Sequence, residues 1–285
     1  MSGPSSPTGY VSGELRRLDP DRYYSTLMLP AGLRSAAQAL YAFNADVATI
    51  RDRVRDPRAG DIRLQWWSDA IQGQEHGAVR QNPVAAGLLD TLGKHRLPSV
   101  PLLRLLAARR FDLYDDPMPD VLSFEGYAGE TVSSLYQFVA LMLGAEPDGA
   151  TADAAGHLGV AHAYVGHLRS FGLNAAQGRI FLPWSVFSAN GVTEAEVFTG
   201  TPSEGLAEAL GQLTELADQH LAKARAAIGV LSPAVRPAFS QIALIERQMR
   251  GLGRGGDAAF AVPRDSADWR KLLALSLWTL RNSRR

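Results

Sequence analysis

Cysteine is absent from the 285 residues, which excludes disulfides, thiolate metal sites and cysteine nucleophiles. Lysine is scarce, occurring only at Lys94, Lys223 and Lys271, so arginine carries nearly all the positive charge. That bias reads as genome composition and carries no functional signal. No apolar run reaches the ~20 residues of a membrane-spanning helix, because Arg, Gln or Gly interrupts the longest candidates. The N-terminal stretch through Gly9 has no basic region followed by an apolar one, so it is not a signal peptide. It reads as part of a disordered lead over residues 1–15, and the chain reads as cytoplasmic. Excess charge of either sign is missing as well, with 29 basic and 29 acidic residues. That balance gives no general attraction to nucleic acid, and no nucleic-acid partner is expected.

What is present is a large apolar share, 46% against 20% charged, enough to bury a substantial core. The apolar residues recur with helical spacing almost throughout. Leu33, Ala36, Ala37, Leu40, Tyr41, Phe43, Val47 and Ile50 follow the i, i+3, i+4 pattern of a helix over 31–56, which Pro57 ends. Further helices are expected over 62–72, 82–92, 102–114, 124–143, 152–173, 204–228, 233–249 and 269–281. Thr193 offers an N-cap ahead of the acidic turn Glu194-Ala195-Glu196. Strand signals are few, so residues 16–285 are expected to form one all-α domain.

Two segments carry a family resemblance. The first runs Arg22-Tyr23-Tyr24-Ser25-Thr26-Leu27-Met28-Leu29-Pro30, then Arg34, Leu40-Tyr41-Ala42-Phe43-Asn44 and Arg63-Leu64-Gln65-Trp66-Trp67. The second runs from Gly159 through Leu168-Arg169-Ser170 and Leu173-Asn174 to Gly178-Arg179-Ile180-Phe181-Leu182-Pro183. In the same order and at compatible spacing, they resemble the squalene and phytoene synthases from about Tyr23 to Pro183. The resemblance implies an isoprenoid-synthase helical bundle around a central cavity. In that family two facing helices each carry an Asp-x-x-x-Asp pair. Residues four apart share a helical face, so the carboxylates converge and hold magnesium against the leaving diphosphate.

The resemblance fails at those acids. The first motif falls on Ala48, Thr49 and Asp52, and the second on Ser170, Leu173 and Asn174, leaving Asp52 as the single carboxylate. The nearer similarity is to the degenerate branch that contains mitochondrial complex I assembly factor 6, with Phe43-Asn44 and Phe181-Leu182-Pro183 in matching places. This implies a non-catalytic protein with no metal cofactor, serving respiratory complex I through its subunits or assembly intermediates, or handling an isoprenoid or other apolar lipid. By the same resemblance Arg34, Tyr41 and Arg169 are candidate ligand or phosphate contacts. The alternative is an active head-to-head prenyltransferase with a rearranged magnesium site around Asp46, Asp52, Asp56 and Asp112, in which Asp52 and Asp56 form a displaced Asp-x-x-x-Asp.

Other patterns admit plainer readings. Trp66-Trp67 reads as one core residue and one rim residue. His157, His162 and His167 are five apart, about 140° around a helix, so they scatter and do not share an ion. Gly251-Leu252-Gly253-Arg254-Gly255-Gly256 has the composition of a phosphate cradle, but no strand precedes it, so it reads as a loop. The last helix, with leucines between Trp269 and Trp278 and arginines at its end, suits either the inner face of an anionic membrane through 265–285 or closure of the bundle.

Overall fold

A computed structural model describes residues 6–74, 78–252, 260–261 and 265–283. Among these every regular element is helical. The expected lead gives way to a helix, α1 (Pro7–Leu18): the Ser6 hydroxyl accepts the Gly9 N–H at 3.2 Å and Val11 and Leu15 are buried. A serine cap followed by proline at the first helical position starts a helix without any apolar run. Asp19 then caps α2 (Pro20–Thr26).

The helix expected over 31–56 divides into α3 (Ala31–Ala48) and α4 (Ile50–Arg53). The break falls at Thr49, whose hydroxyl donates back to the carbonyls of Ala45 at 2.9 Å and Asp46 at 3.0 Å. Next come α5 (Pro57–Gln72), α6 (Pro83–His95) and α7 (Val100–Arg109). The helix expected over 124–143 is α8 (Val121–Ala128) and α9 (Ser134–Met142), joined without a gap by a π turn, Gly129–Ser133. The one expected over 152–173 is α10 (Gly149–Arg169) and α11 (Phe171–Ala176), broken at Ser170. Beyond lie α12 (Trp184–Ala189), α13 (Glu194–Thr199), α14 (Glu204–Val230), α15 (Ile242–Arg250) and α16 (Asp268–Asn282). Thr193 caps α13 as expected, in a reciprocal box with Glu196.

Helix α10 is the axis of the bundle, and its most extensive partner is α14. Alanine and glycine let its neighbours come close. A Cβ on Gly159 would sit 2.5 Å from the backbone of Ser133, so only glycine allows α10 to meet the π turn. Trp67 is buried against Phe43 and Trp66 sits at the rim, as expected. The glycine-rich run extends from Gly251 into residues outside the described set.

Candidate functional site

A cavity of about 290 Å³ lies beside α10, walled by α2, α7, α8, the π turn and α11. His162, Gly166, Ser170 and Asn174 line it from one side, and their four-residue spacing keeps them on one face across the break at Ser170. His167 and Phe181 line it too, their rings 5.2 Å apart. Hydrogen bonds from Met118 to the carbonyl of Ile180 and from Trp184 to that of Met118, at 3.0 and 2.7 Å, fix the stretch that brings Phe181 to the wall.

Two arginines enter this wall. Arg22 donates to Asp19 through its backbone at 2.9 Å and its guanidinium at 2.7 Å, and stands 5.6 Å from the Tyr41 ring centroid. Arg109 donates through Nη1 to Asp112 at 2.9 Å and to the Tyr127 hydroxyl at 2.7 Å, and that hydroxyl donates to Asp112 at 2.7 Å. The Nε of Arg109 is buried and without a hydrogen-bond partner. Burial opposes charge on both guanidiniums. Tyr127 and Asp112 outweigh it at Arg109, as Asp19, Tyr136 and Tyr41 do at Arg22, so both stay charged.

The histidines go the other way. Burial pushes His162 down to about 3 and His167 down to about 4, so both rings are neutral near pH 7. Tyr136 donates its proton to Gln241 at 2.6 Å, so the Nδ1 of His162, 2.9 Å away, donates to Tyr136 and leaves Nε2 as an acceptor. The wall therefore offers guanidiniums, neutral imidazoles, a serine hydroxyl and an asparagine amide.

Magnesium takes hard oxygen ligands, usually with carboxylates among them. Here Asp19 and Asp112 are each engaged by an arginine, and the described residues include no group of three or more His, Asp or Glu able to hold a metal ion. The donor set does not fit magnesium. It fits an anionic or hydrogen-bond-accepting group.

Of the residues read from the sequence, the structure brings Ser170 and Asn174 to the cavity. Leu173 points outward, 58% exposed. Ala48 is half-buried and Thr49 bonds its own helix. Asp52 lies at the exposed end of α4, paired with Arg179 at 3.1 Å. Tyr41 is buried beneath Arg22. Arg34 is exposed and donates to the carbonyl of Leu29, and Arg169 pairs with Asp265 at 2.6 Å, so neither lines the cavity.

The rearranged acid cluster does not assemble. Asp46 pairs with Arg53 at 2.9 Å and accepts from Trp67 at 3.0 Å, whereas Asp112 is locked to Arg109 and Tyr127. Val54 is extended and Asp56 caps α5, so Asp52 and Asp56 share no helical face. Sequence reading missed Arg22, Arg109, Tyr127 and the cavity role of two histidines. His162 and His167 do lie on different sides of α10, but the cavity is wide enough to meet both. The spacing of Arg109 and Asp112, three apart, was the available signal for the buried pair. A larger groove, about 820 Å³, runs between α14 and α15, but none of the family-motif positions lines it.

The sequence profile of squalene/phytoene synthase matches residues 15–278. The chain is 29% identical over 255 residues to complex I assembly factor 6 of Rattus norvegicus, covering 89% of this chain and 76% of that protein. It is 25% identical over 275 residues to a phytoene synthase of Arthrospira platensis, covering 91% and 88%. A dehydrosqualene synthase solved with a ligand superposes with a TM-score of 0.81 at 18% identity, over 96% of each chain, which shows a shared fold. Matched along nearly its whole length and built on the same all-helical frame, this chain belongs to the squalene/phytoene synthase family.

Proposed function

We propose that this protein is a non-catalytic member of its family, acting as an assembly or lipid-handling factor for respiratory complex I at the inner face of the inner membrane. The observation that carries this reading is the state of the two metal-binding faces. Ser170 and Asn174 stand at the cavity without charge, and the one surviving acid, Asp52, is committed to Arg179. A polyphosphate brought into such a cavity would lack the metal ions that neutralise its charge in catalysis and the carboxylates that position them. The similarity to complex I assembly factor 6 supplies the process. The cavity supports the lipid-handling side: two charged guanidiniums offer a place for one anionic head group, held directly and not through metal.

Deletion of the gene in its host tests the reading. Loss of assembled complex I with unchanged hopanoid and carotenoid content is expected. Loss of either isoprenoid with complex I intact would overturn it.

A further inference from the structure

Helix α16 has two apolar faces. The inner one packs on the bundle: Leu275 is fully buried beside Tyr24 and Leu244, and Lys271, also buried, pairs with Asp21 at 2.7 Å and Asp265 at 3.2 Å. Tyr24 further anchors the helix through Asp268 at 2.5 Å. The outer face carries Trp269, Leu273, Leu277 and Leu280, exposed by 61%, 51%, 43% and 52%. At about 100° per residue, these four fall within an arc of roughly 80°. They form a stripe along the helix, and bundle packing does not require it.

The charges at the edge of the stripe are basic. Arg270, its guanidinium 5.1 Å from the Trp269 ring centroid, and Arg281 stand at the edge of the arc, and Arg284 and Arg285 follow in the sequence. The single acid of the helix, Asp268, is turned to Tyr24. Arg236 bonds both the carbonyl of Gly229 at 2.8 Å and that of Asn282 at 3.2 Å, which ties the end of α14 to the end of α16.

We infer that the outer face of α16 lies on an anionic lipid surface, with Trp269, Leu273, Leu277 and Leu280 entering the interfacial layer and the arginines meeting lipid phosphates. A protein partner would be expected to answer these arginines with acids at fixed points. A run of leucines with a tryptophan at one end and cations along one edge needs only a plane that is apolar below and negative above. Inner-face packing keeps the helix folded before it meets lipid, so docking does not carry the cost of ordering it. This inference is independent of what the cavity holds.

Flotation of the full-length protein with vesicles of phosphatidylcholine alone, and of phosphatidylcholine mixed with phosphatidylglycerol, tests it. The wild type floats with the anionic vesicles, and its tryptophan emission shifts to the blue by an increment that W269F removes. The double variant L273E/L277E changes only exposed positions and keeps the wild-type melting profile, yet binds roughly tenfold less or weaker. R270E/R281E weakens binding to anionic vesicles by roughly fivefold or more per charge reversed. Failure of the wild type to float, or equal flotation of L273E/L277E, would overturn the inference. So would a dimer in light scattering that L273E/L277E splits, since that would assign the face to a second copy of the chain.

Discussion

Asp52 and Arg179 pair at 3.1 Å across the two segments that carry the family resemblance. The acid that the resemblance aligns with the family's first motif is thereby engaged by the arginine of the Gly178 to Pro183 stretch, and Arg51 and Asp115, paired at 2.9 Å, extend the contact. Asp52 is 61% exposed, so the pair contributes little to folding. Asp52→Ala is expected to cost less than about 1 kcal/mol in urea denaturation.

The Arg109, Asp112 and Tyr127 network is a different case, since its side chains are nearly sealed from solvent. Asp112→Asn leaves a buried guanidinium without its counter-charge and is expected to cost about 3 kcal/mol. Tyr127→Phe removes two hydrogen bonds and costs about 1–3 kcal/mol. Equilibrium urea curves on both variants check the order.

Two glycines on α10 are expected to respond in opposite directions. At Gly156 a methyl group meets nothing within 4 Å, so Gly156→Ala gains about 0.5–1 kcal/mol from helix propensity. At Gly159 it would strike the Ser133 backbone at 2.5 Å, so Gly159→Ala loses about 2 kcal/mol or more by forcing α10 off the π turn. Thermal melts of the pair separate close packing from propensity.

His162 and His167 set a pH dependence. Folding lowers them from 6.5 to about 3 and about 4, so below pH 6.5 the unfolded chain binds protons that the folded one does not. Their contribution to stability is full above pH 6.5, falls as pH drops and levels off below the folded values. From about pH 7 to about pH 5 the loss is about 1–2 kcal/mol per histidine. Melting temperatures of His167→Gln should fall less than those of the wild type across that window.

Much of the bundle was legible because helical periodicity and proline boundaries are local. Glu204–Val230 and Asp268–Asn282 fall within two residues of expectation. The breaks at Thr49 and Ser170 were not legible, since both interrupt apolar patterns that run on past them. The N-terminal helix was missed because a Ser6 cap and Pro7, not apolar spacing, start it. At the site, the family resemblance singled out Ser170 and Asn174, and both line the cavity. Arg22 and Arg109 could not be singled out, because their convergence joins α2 and α7 across more than eighty residues of chain. Of the two readings of the last helix, closure of the bundle is seen at the buried Leu275 and Lys271, while Trp269, Leu273, Leu277 and Leu280 on the opposite face are exposed.

Under the proposed function, the prenyl-synthase frame persists here without its metal-dependent chemistry. Incubation of the purified protein with farnesyl or geranylgeranyl diphosphate and magnesium, followed by extraction and chromatography, tests it most directly. No squalene, phytoene or prenyl alcohol above the protein-free control is expected. Magnesium-dependent formation of any of these, lost on chelation, would contradict it.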